Sequence, residues 1–168
     1  DGRAVLRSVI REYLASEALH GLGVPTTRAL AIASSQEQVQ REVFEPRASL
    51  IRVTPTHIRF GHFEWAASLG KDALESLITF VIQHHYPELA DLPENEQAGA
   101  LLKAVCGRTA ILMAKWQAVG FNHGVMNSDN MSIIGETFDF GPYAFFDDFQ
   151  IEYICNHSDV EGRYAYNQ

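Results

Sequence analysis

Residues 123–142 constrain this chain most, because they combine a short predicted β-hairpin with three oxygen-bearing side chains. Residues 131–134 and 137–140 are short β-favouring runs, and the Gly135-Glu136 pair between them fits a two-residue turn with glycine first. The three oxygen-bearing side chains of this segment are those of Asp129, Asn130 and Asp139.

The predicted turn fixes which residues of the hairpin face each other. Ser132 would pair with Asp139, and the alternation of side chains along a strand would place Asn130 on the same face. Asn130 and Asp139 would then be diagonal neighbours, about 7–8 Å apart at the backbone. Mg²⁺ is normally bound by one or two carboxylates plus substrate phosphates. The segment therefore predicts a metal site for chemistry on a nucleoside triphosphate, with Asp129 free to turn towards a substrate.

Length and charge exclude some classes of protein. The 168 residues suffice for one domain with a real core. A net charge of −8 argues against a nucleic-acid partner, since phosphate backbones need clustered Lys and Arg. No apolar run approaches the length of a membrane span. Because the chain begins at Asp1 rather than Met, we expect its natural N-terminus to be missing.

Hydrophobic periodicity predicts three helices and two strands. In chain order these are a helix over 4–20, strands over 28–33 and 49–54, and helices over 74–85 and 95–119. A polar stretch over 34–40 and a turn near Glu45-Pro46 would separate the strands. The β-containing part ends near Pro55 and the helical part begins near Gly61. We therefore expect an α+β chain with a hinge between them.

Several side chains are expected to be structural. Glu12 lies at the edge of the apolar face of the first helix and Glu17 inside it, so each should have a cationic partner unless both are solvated or capping residues. The expected core of the long helix is Leu101, Leu102, Val105, Ile111, Leu112 and Trp116, with Cys106 as a small core residue. The expected structural histidines are His57, His62 and His123. The two cysteines do not form a disulfide framework, which favours a reducing compartment.

Long contiguous motifs of this chain resemble those of the selenoprotein O family, protein adenylyltransferases with a protein-kinase-like fold. The main matching segments are residues 1–8, 10–12, 23–30, 57–64, 120–133, 139–142 and 154–164. Family members are longer, so the resemblance implies a middle segment. It implies a mostly helical, two-lobed kinase-like fold, with 1–55 as part of the N-lobe and 56–168 as the catalytic part of the C-lobe.

The resemblance also implies roles for individual residues. Glu12 occupies the place of a glutamate that pairs with a nucleotide-binding lysine, which would lie upstream of this chain. Arg52 and Arg59 match two arginines that hold ATP phosphates, a task that suits the guanidinium fork. Cys155 resembles a family cysteine that can pair with a redox-active residue near the distant C-terminus.

The resemblance assigns the catalytic roles to residues of the predicted hairpin segment. Asn130 and Asp139 match the metal ligands of the family, and Asp129 matches its proposed general base. Kinases place a catalytic Asp five residues before the metal-binding Asn, where this chain has Val125. The family binds ATP in a flipped orientation, so that AMP is transferred and pyrophosphate leaves. The implied cofactors are ATP and Mg²⁺, or Mn²⁺ in its place.

The implied partners are proteins whose Ser, Thr or Tyr hydroxyls accept AMP, with no nucleic acid and no membrane. The protein would be cytoplasmic in a bacterium or mitochondrial in a eukaryote. Two alternatives stay open. One is a kinase-type phosphotransferase, which the hairpin alone permits. The other is a non-catalytic nucleotide-binding pseudokinase module, if Val125 at the position of the kinase base means that the chain has no catalytic base.

Overall fold

A small antiparallel sheet precedes a mainly helical region in the computed structural model, which describes residues 2–167. The elements are β1 (Ala4–Val5), α1 (Leu6–Gly21), β2 (Arg28–Gln40), β3 (Phe44–Val53), α2 (Phe60–Leu69), α3 (Lys71–His85), α4 (Glu94–Ala118), β4 (Phe121–Asn122) and β5 (Ala144–Phe145). The chain is thus mixed α and β, and α3 and α4 lie where hydrophobic periodicity predicts them. Within residues 2–167, no helix combines the length and apolar character that a bilayer crossing requires.

The sheet extends further than the sequence predicts. Its strand order is β1-β3-β2, with both pairings antiparallel. The polar stretch 34–40, predicted to separate the strands, instead continues β2, and the chain reverses at 41–43 rather than near Glu45-Pro46. Pro46 faces Gln38 beside a register shift. An irregular position is where a strand tolerates proline, which has no N–H to donate.

The first helix begins two residues later than predicted, because Ala4 and Val5 pair with β3 instead. It ends as its glycines predict: Gly23 adopts a φ of 73°, and its N–H donates to the carbonyl of His20 at 3.0 Å. This termination turns the chain from α1 back to β2, so that α1 lies against the sheet.

The helical part has two hydrophobic clusters, and the predicted hairpin segment contributes to both. Met131 and Phe140 pack in a cluster with Trp116 of α4, whereas Ile133 packs with Tyr86. The core prediction for α4 is confirmed for Leu101, Val105, Leu112 and Trp116. It is wrong for Leu102, Ile111 and Cys106, which are exposed.

The predicted register of the hairpin is wrong. Met131, not Ile134, pairs with Thr137, so the connection contains five residues rather than two. Gly135 closes a turn by donating its N–H to the carbonyl of Ser132 at 3.2 Å, with a φ of 76°. A Cβ at Gly135 would lie 2.8 Å from the Cβ of Arg108 on α4, which is why only glycine fits here.

Ser132 consequently has a different neighbour from the one predicted. It forms an antiparallel bridge with Arg59, just before α2, and does not pair with Asp139. Two side-chain hydrogen bonds anchor this part of the chain, one to the residue directly after α3 and one to α4. The Tyr86 hydroxyl donates to the carbonyl of Ile133 at 2.6 Å, and Trp116 Nε1 donates to Thr137 Oγ1 at 2.8 Å.

Candidate active site

His123 supports the candidate site from inside the core, as expected. Its ring is buried and stacks on Trp116 at a centroid distance of 5.2 Å. Nδ1 accepts the Val125 N–H at 3.3 Å, so Nε2 carries the proton that is donated to the Phe138 carbonyl at 3.0 Å. Burial lowers the pKa of His123 and favours this neutral form. The histidine therefore holds the backbone directly before Asp139.

The ring of Phe138 is a platform on which both predicted phosphate-binding arginines lie. The Arg52 guanidinium lies 4.6 Å from the ring centroid and that of Arg59 lies 5.4 Å from it. His57 meets the same ring edge-on at 5.8 Å. His57 is exposed, and its packing on Phe138 is consistent with the structural role expected for it. Residues 52 and 59 thus converge on the neighbour of Asp139.

Glu12 of α1 enters this site through an ion pair with Arg52 of β3. Burial raises the pKa of the Glu12 carboxyl, and the nearby Asp139 adds to this, whereas Arg52 opposes it. The expectation of a cationic partner is confirmed here. It is also confirmed for Glu17, which accepts two hydrogen bonds of 2.8 Å from Arg28.

The short 3-10 turn Ser128–Asn130 carries the predicted general base and docks on the start of α2. Arg59 Nη1 donates to the Asp129 carbonyl at 2.7 Å, and Ser128 Oγ donates to Glu64 Oε2 at 2.9 Å. The side chain of Asp129 is exposed to solvent. Arg59 therefore contacts both the ring of Phe138 and the backbone of the predicted base.

The side chain of Asn130 and the backbone of Asp139 each have a feature compatible with the predicted cation site. Asn130 Nδ2 donates to the Val125 carbonyl at 3.0 Å, which leaves the amide oxygen as a ligand. Asp139 has a φ of 66°, the one positive φ outside glycine among residues 2–167. Asp tolerates this left-handed conformation better than most residues, and such conformations concentrate at functional sites.

The residues present fit Mg²⁺ bound together with phosphates. Within residues 2–167, no group of three or more His, Cys, Asp or Glu side chains could hold a metal alone. One carboxylate and one amide oxygen form the partial ligand set that Mg²⁺ completes with substrate phosphates and water. The residues for such a site are Asn130 and Asp139, whose roles remain predictions.

An open cleft lies beside Arg52, between α1 and β3. Its volume is about 380 Å³. Its lining comprises Ala4, Ser8, Val9, Glu12, Leu50, Arg52 and His57. This volume is within the usual range for small-molecule sites, about 300–1,000 Å³. The ion pair of Glu12 and Arg52 thus borders a space open to solvent.

The two cysteines are free and lie apart from this arrangement. Cys155 is half-buried, and its thiol donates to Asn122 Oδ1 at 3.3 Å. Burial raises the pKa of this thiol, which lowers its thiolate fraction at neutral pH.

Comparison with known proteins identifies the family. The whole chain, residues 1–168, matches the family described as protein adenylyltransferase SelO, and the chain belongs to this family. Similar bacterial proteins bear the name protein nucleotidyltransferase YdiU. The protein from Hydrogenovibrio crunogenus is 96% identical over 168 residues, 100% of this chain and 35% of the relative. That from Thioalkalivibrio sulfidiphilus is 60% identical over 100% of this chain and 34% of the relative. The chain therefore spans about a third of their length.

Sequence reasoning missed three residues that organise the site. Phe138 orients both arginines, Glu64 holds Ser128, and Gly61 faces the Asp129 side chain. The aromatic next to Asp139 was a usable signal, because arginines often stack on aromatic rings. Glu64 and Gly61 gave no signal of their own, since their partners are more than 60 positions away.

Proposed function

We propose that the full-length protein containing this chain transfers AMP from ATP to Ser, Thr or Tyr hydroxyls of protein substrates. The observation that carries the proposal is the convergence of Arg52 and Arg59 on Phe138, beside Asp139. Two cations at one end of a segment with carboxylate and amide oxygens suit a bound triphosphate with its metal. Membership in a family of protein adenylyltransferases supports the same reaction.

The residues would share the work of positioning and charge neutralisation that dominates phosphoryl-type transfer. Arg52 and Arg59 would bind phosphate oxygens, and Asn130 and Asp139 would hold Mg²⁺ or Mn²⁺. The bound metal would supply charge stabilisation on the triphosphate and the departing pyrophosphate. Asp129, exposed next to this site, would orient the substrate hydroxyl and accept its proton.

In the proposed AMP transfer, one bond to the α-phosphorus of ATP forms and another breaks. The hydroxyl oxygen of the protein substrate forms a bond to the α-phosphorus of ATP, and the bond from that phosphorus to the bridging oxygen of pyrophosphate breaks. The hydroxyl proton passes to Asp129, and pyrophosphate leaves with the bonding electron pair. Arg52 and Arg59 would offset the negative charge that builds up on the leaving group.

We also propose the two-lobed, kinase-like arrangement, with residues 1–55 in the N-lobe and 56–168 in the C-lobe. The order of elements supports it: a sheet flanked by α1 comes first, and a helical part with the segment proposed to bind metal follows. The irregular residues 54–59 between β3 and α2 would be the hinge. The ion pair of Glu12 with Arg52 lines one cleft together with His57 of this segment.

Transfer of the γ-phosphate by the kinase route has less support. The position of the kinase base is Val125, whose backbone carbonyl accepts the Asn130 amide at 3.0 Å. This residue has no group that takes a proton from a hydroxyl. The acidic side chain next to the proposed ligand Asn130 is that of Asp129, which favours AMP transfer over phosphate transfer.

A substitution at the proposed base tests this function. The full-length protein is incubated with Mg²⁺ and ATP that is labelled at the α-phosphate, and label on protein is measured. We expect Asp129→Ala to lose transfer by about 100-fold or more, within the range for general bases, while its ATP affinity is kept. Asp91→Ala changes an exposed aspartate between α3 and α4 and should behave as wild type. Wild-type transfer by Asp129→Ala would contradict the assignment.

A further inference from the structure

Gly61 lies where any side chain would collide with the carboxylate of Asp129. A Cβ at this glycine would be 2.4 Å from Asp129 Oδ1 and 3.3 Å from Asp129 Cγ. Both distances are shorter than ordinary van der Waals contact, about 3.5–4.0 Å between carbon atoms. The carboxylate of Asp129 therefore occupies the space that the missing side chain leaves on the first turn of α2.

The backbone on either side of this contact is held in place. Arg59 Nη1 donates to the Asp129 carbonyl at 2.7 Å, and the Phe60 N–H donates to the Met131 carbonyl at 3.1 Å. Ser128 Oγ donates to Glu64 Oε2 at 2.9 Å. These bonds fasten the 3-10 turn to α2 both before and after the Asp129 side chain. The group that would yield to a Cβ is thus the exposed carboxylate, not the backbone.

Helix formation does not account for glycine at this position. Gly61 is the second residue of α2, and its φ is not in the left-handed region that favours glycine. Alanine is a better helix former than glycine. The local backbone would accept alanine, and only the contact with Asp129 opposes it.

We propose that Gly61 is a positioning residue for the base: its missing side chain lets the Asp129 carboxylate lie against α2. This inference rests on the proposed function, in which Asp129 accepts the proton of the substrate hydroxyl. Gly61 has no side chain of its own and would act through Asp129. Substitution should therefore lower kcat while the KM for ATP, set by residues such as Arg52, stays the same.

The test uses Gly61→Ala in the full-length protein. We expect kcat for AMP transfer to fall about 100-fold, the loss that a misplacement of about 1 Å can cause. The KM for ATP should stay at the wild-type value. The melting temperature should stay the same or rise. Gly61→Ser should behave in the same way. Wild-type kcat in Gly61→Ala would overturn the proposal, and so would a fall in kcat that is matched by loss of folding.

Two glycines of α4 provide matched controls. Gly99 and Gly107 have no heavy atom within 4 Å of an added Cβ, so Gly99→Ala and Gly107→Ala should keep wild-type kcat. A crystal structure of Gly61→Ala gives a readout independent of activity. The Asp129 carboxylate should be displaced from α2, and an unmoved carboxylate would overturn the proposal. If the wild type transfers no AMP, the proposed function is contradicted. The position of the Asp129 carboxylate in the Gly61→Ala structure then still decides the proposal for Gly61.

Discussion

Arg52 on β3 pairs with Glu12 on α1 while its guanidinium lies over the ring of Phe138, so one side chain joins the sheet, the helix and the segment predicted to bind metal. The two ion-paired side chains are only 19% and 22% exposed. A guanidinium that is held by both Glu12 and Phe138 has little rotamer freedom left to lose in the proposed binding of phosphate.

Removal of this guanidinium should weaken the use of ATP. We expect Arg52→Ala to raise the KM for ATP about tenfold or more, because a charge-assisted hydrogen bond contributes about 1.5–3 kcal/mol. The assay is AMP transfer over a range of ATP concentrations. Arg47→Ala is the matched control, since Arg47 lies on the same strand and also forms an ion pair, with Glu37 at 2.7 Å. Equal KM values for wild type and Arg52→Ala would contradict a phosphate role.

Asp139 should be required for metal-dependent transfer. We expect Asp139→Ala to lose AMP transfer by about 100-fold or more, because a charged ligand that stabilises the leaving group is removed. Asp139→Asn separates charge from conformation, since Asn also tolerates the left-handed backbone found here. The Asp139→Asn protein should need a higher Mg²⁺ concentration than wild type for half-maximal rate. Near-wild-type transfer by Asp139→Ala at low Mg²⁺ would rule out the metal assignment.

A buried hydroxyl should contribute to stability. Thr137 Oγ1 accepts from Trp116 Nε1 at 2.8 Å and donates to the Pro25 carbonyl at 2.8 Å. Thr137→Val leaves the buried Trp116 Nε1 unpaired, whereas the Pro25 carbonyl keeps the hydrogen bond from the Thr137 N–H at 2.9 Å. The unpaired donor should cost about 1–3 kcal/mol of unfolding free energy. Urea unfolding followed by tryptophan fluorescence measures the change. Thr79→Val, at an exposed position of α3, should leave the midpoint within error of wild type. Equal midpoints for Thr137→Val and wild type would count against this bonding.

The ion pair of Glu17 with Arg28 should make the local stability of α1 depend on acid pH. The hydrogen bond from Arg28 lowers the pKa of Glu17 to about 2. Because the folded pKa lies below the unfolded one, the stabilisation is present above about pH 4.5 and is lost as the pH falls towards 2. We expect at most about 1 kcal/mol, since the carboxylate is 29% exposed.

Hydrogen exchange at the end of α1 gives the measurement for this pair. Glu17→Gln should speed exchange relative to wild type at pH 7, after correction for intrinsic rates, and the difference should shrink by pH 3. Glu75→Gln, at an exposed pair on α3, is the control. A difference that grows towards low pH would contradict the assigned shift.

Local pattern predicted the long elements of this fold. Periodicity located α3 and α4, and glycines located the end of α1, because these signals lie within the element itself. The continuation of β2 through residues 34–40 could not be predicted in this way. All of that stretch except Val39 is exposed, and pairing with β3 forms the strand despite its polar composition.

The arrangement of the candidate site could not be predicted from the local sequence. A two-residue turn at Gly135-Glu136 satisfied local rules, but the packing of Gly135 against Arg108 of α4 sets a longer connection. Such a contact joins residues that are distant in the chain, so the local sequence does not indicate it. The ion pair of Glu12 with Arg52, 40 positions apart, likewise depends on how β3 lies against α1.

The position of the transferred label tests the central claim most directly. The full-length protein is incubated with Mg²⁺ and a protein substrate in parallel reactions, with ATP labelled at either the α- or the γ-phosphate. The proposed reaction predicts protein-bound label from the α-position only, with the γ-label recovered in pyrophosphate. Protein-bound label from the γ-position would contradict AMP transfer and identify a kinase. ATP binding without label on protein from either position would identify a nucleotide-binding module.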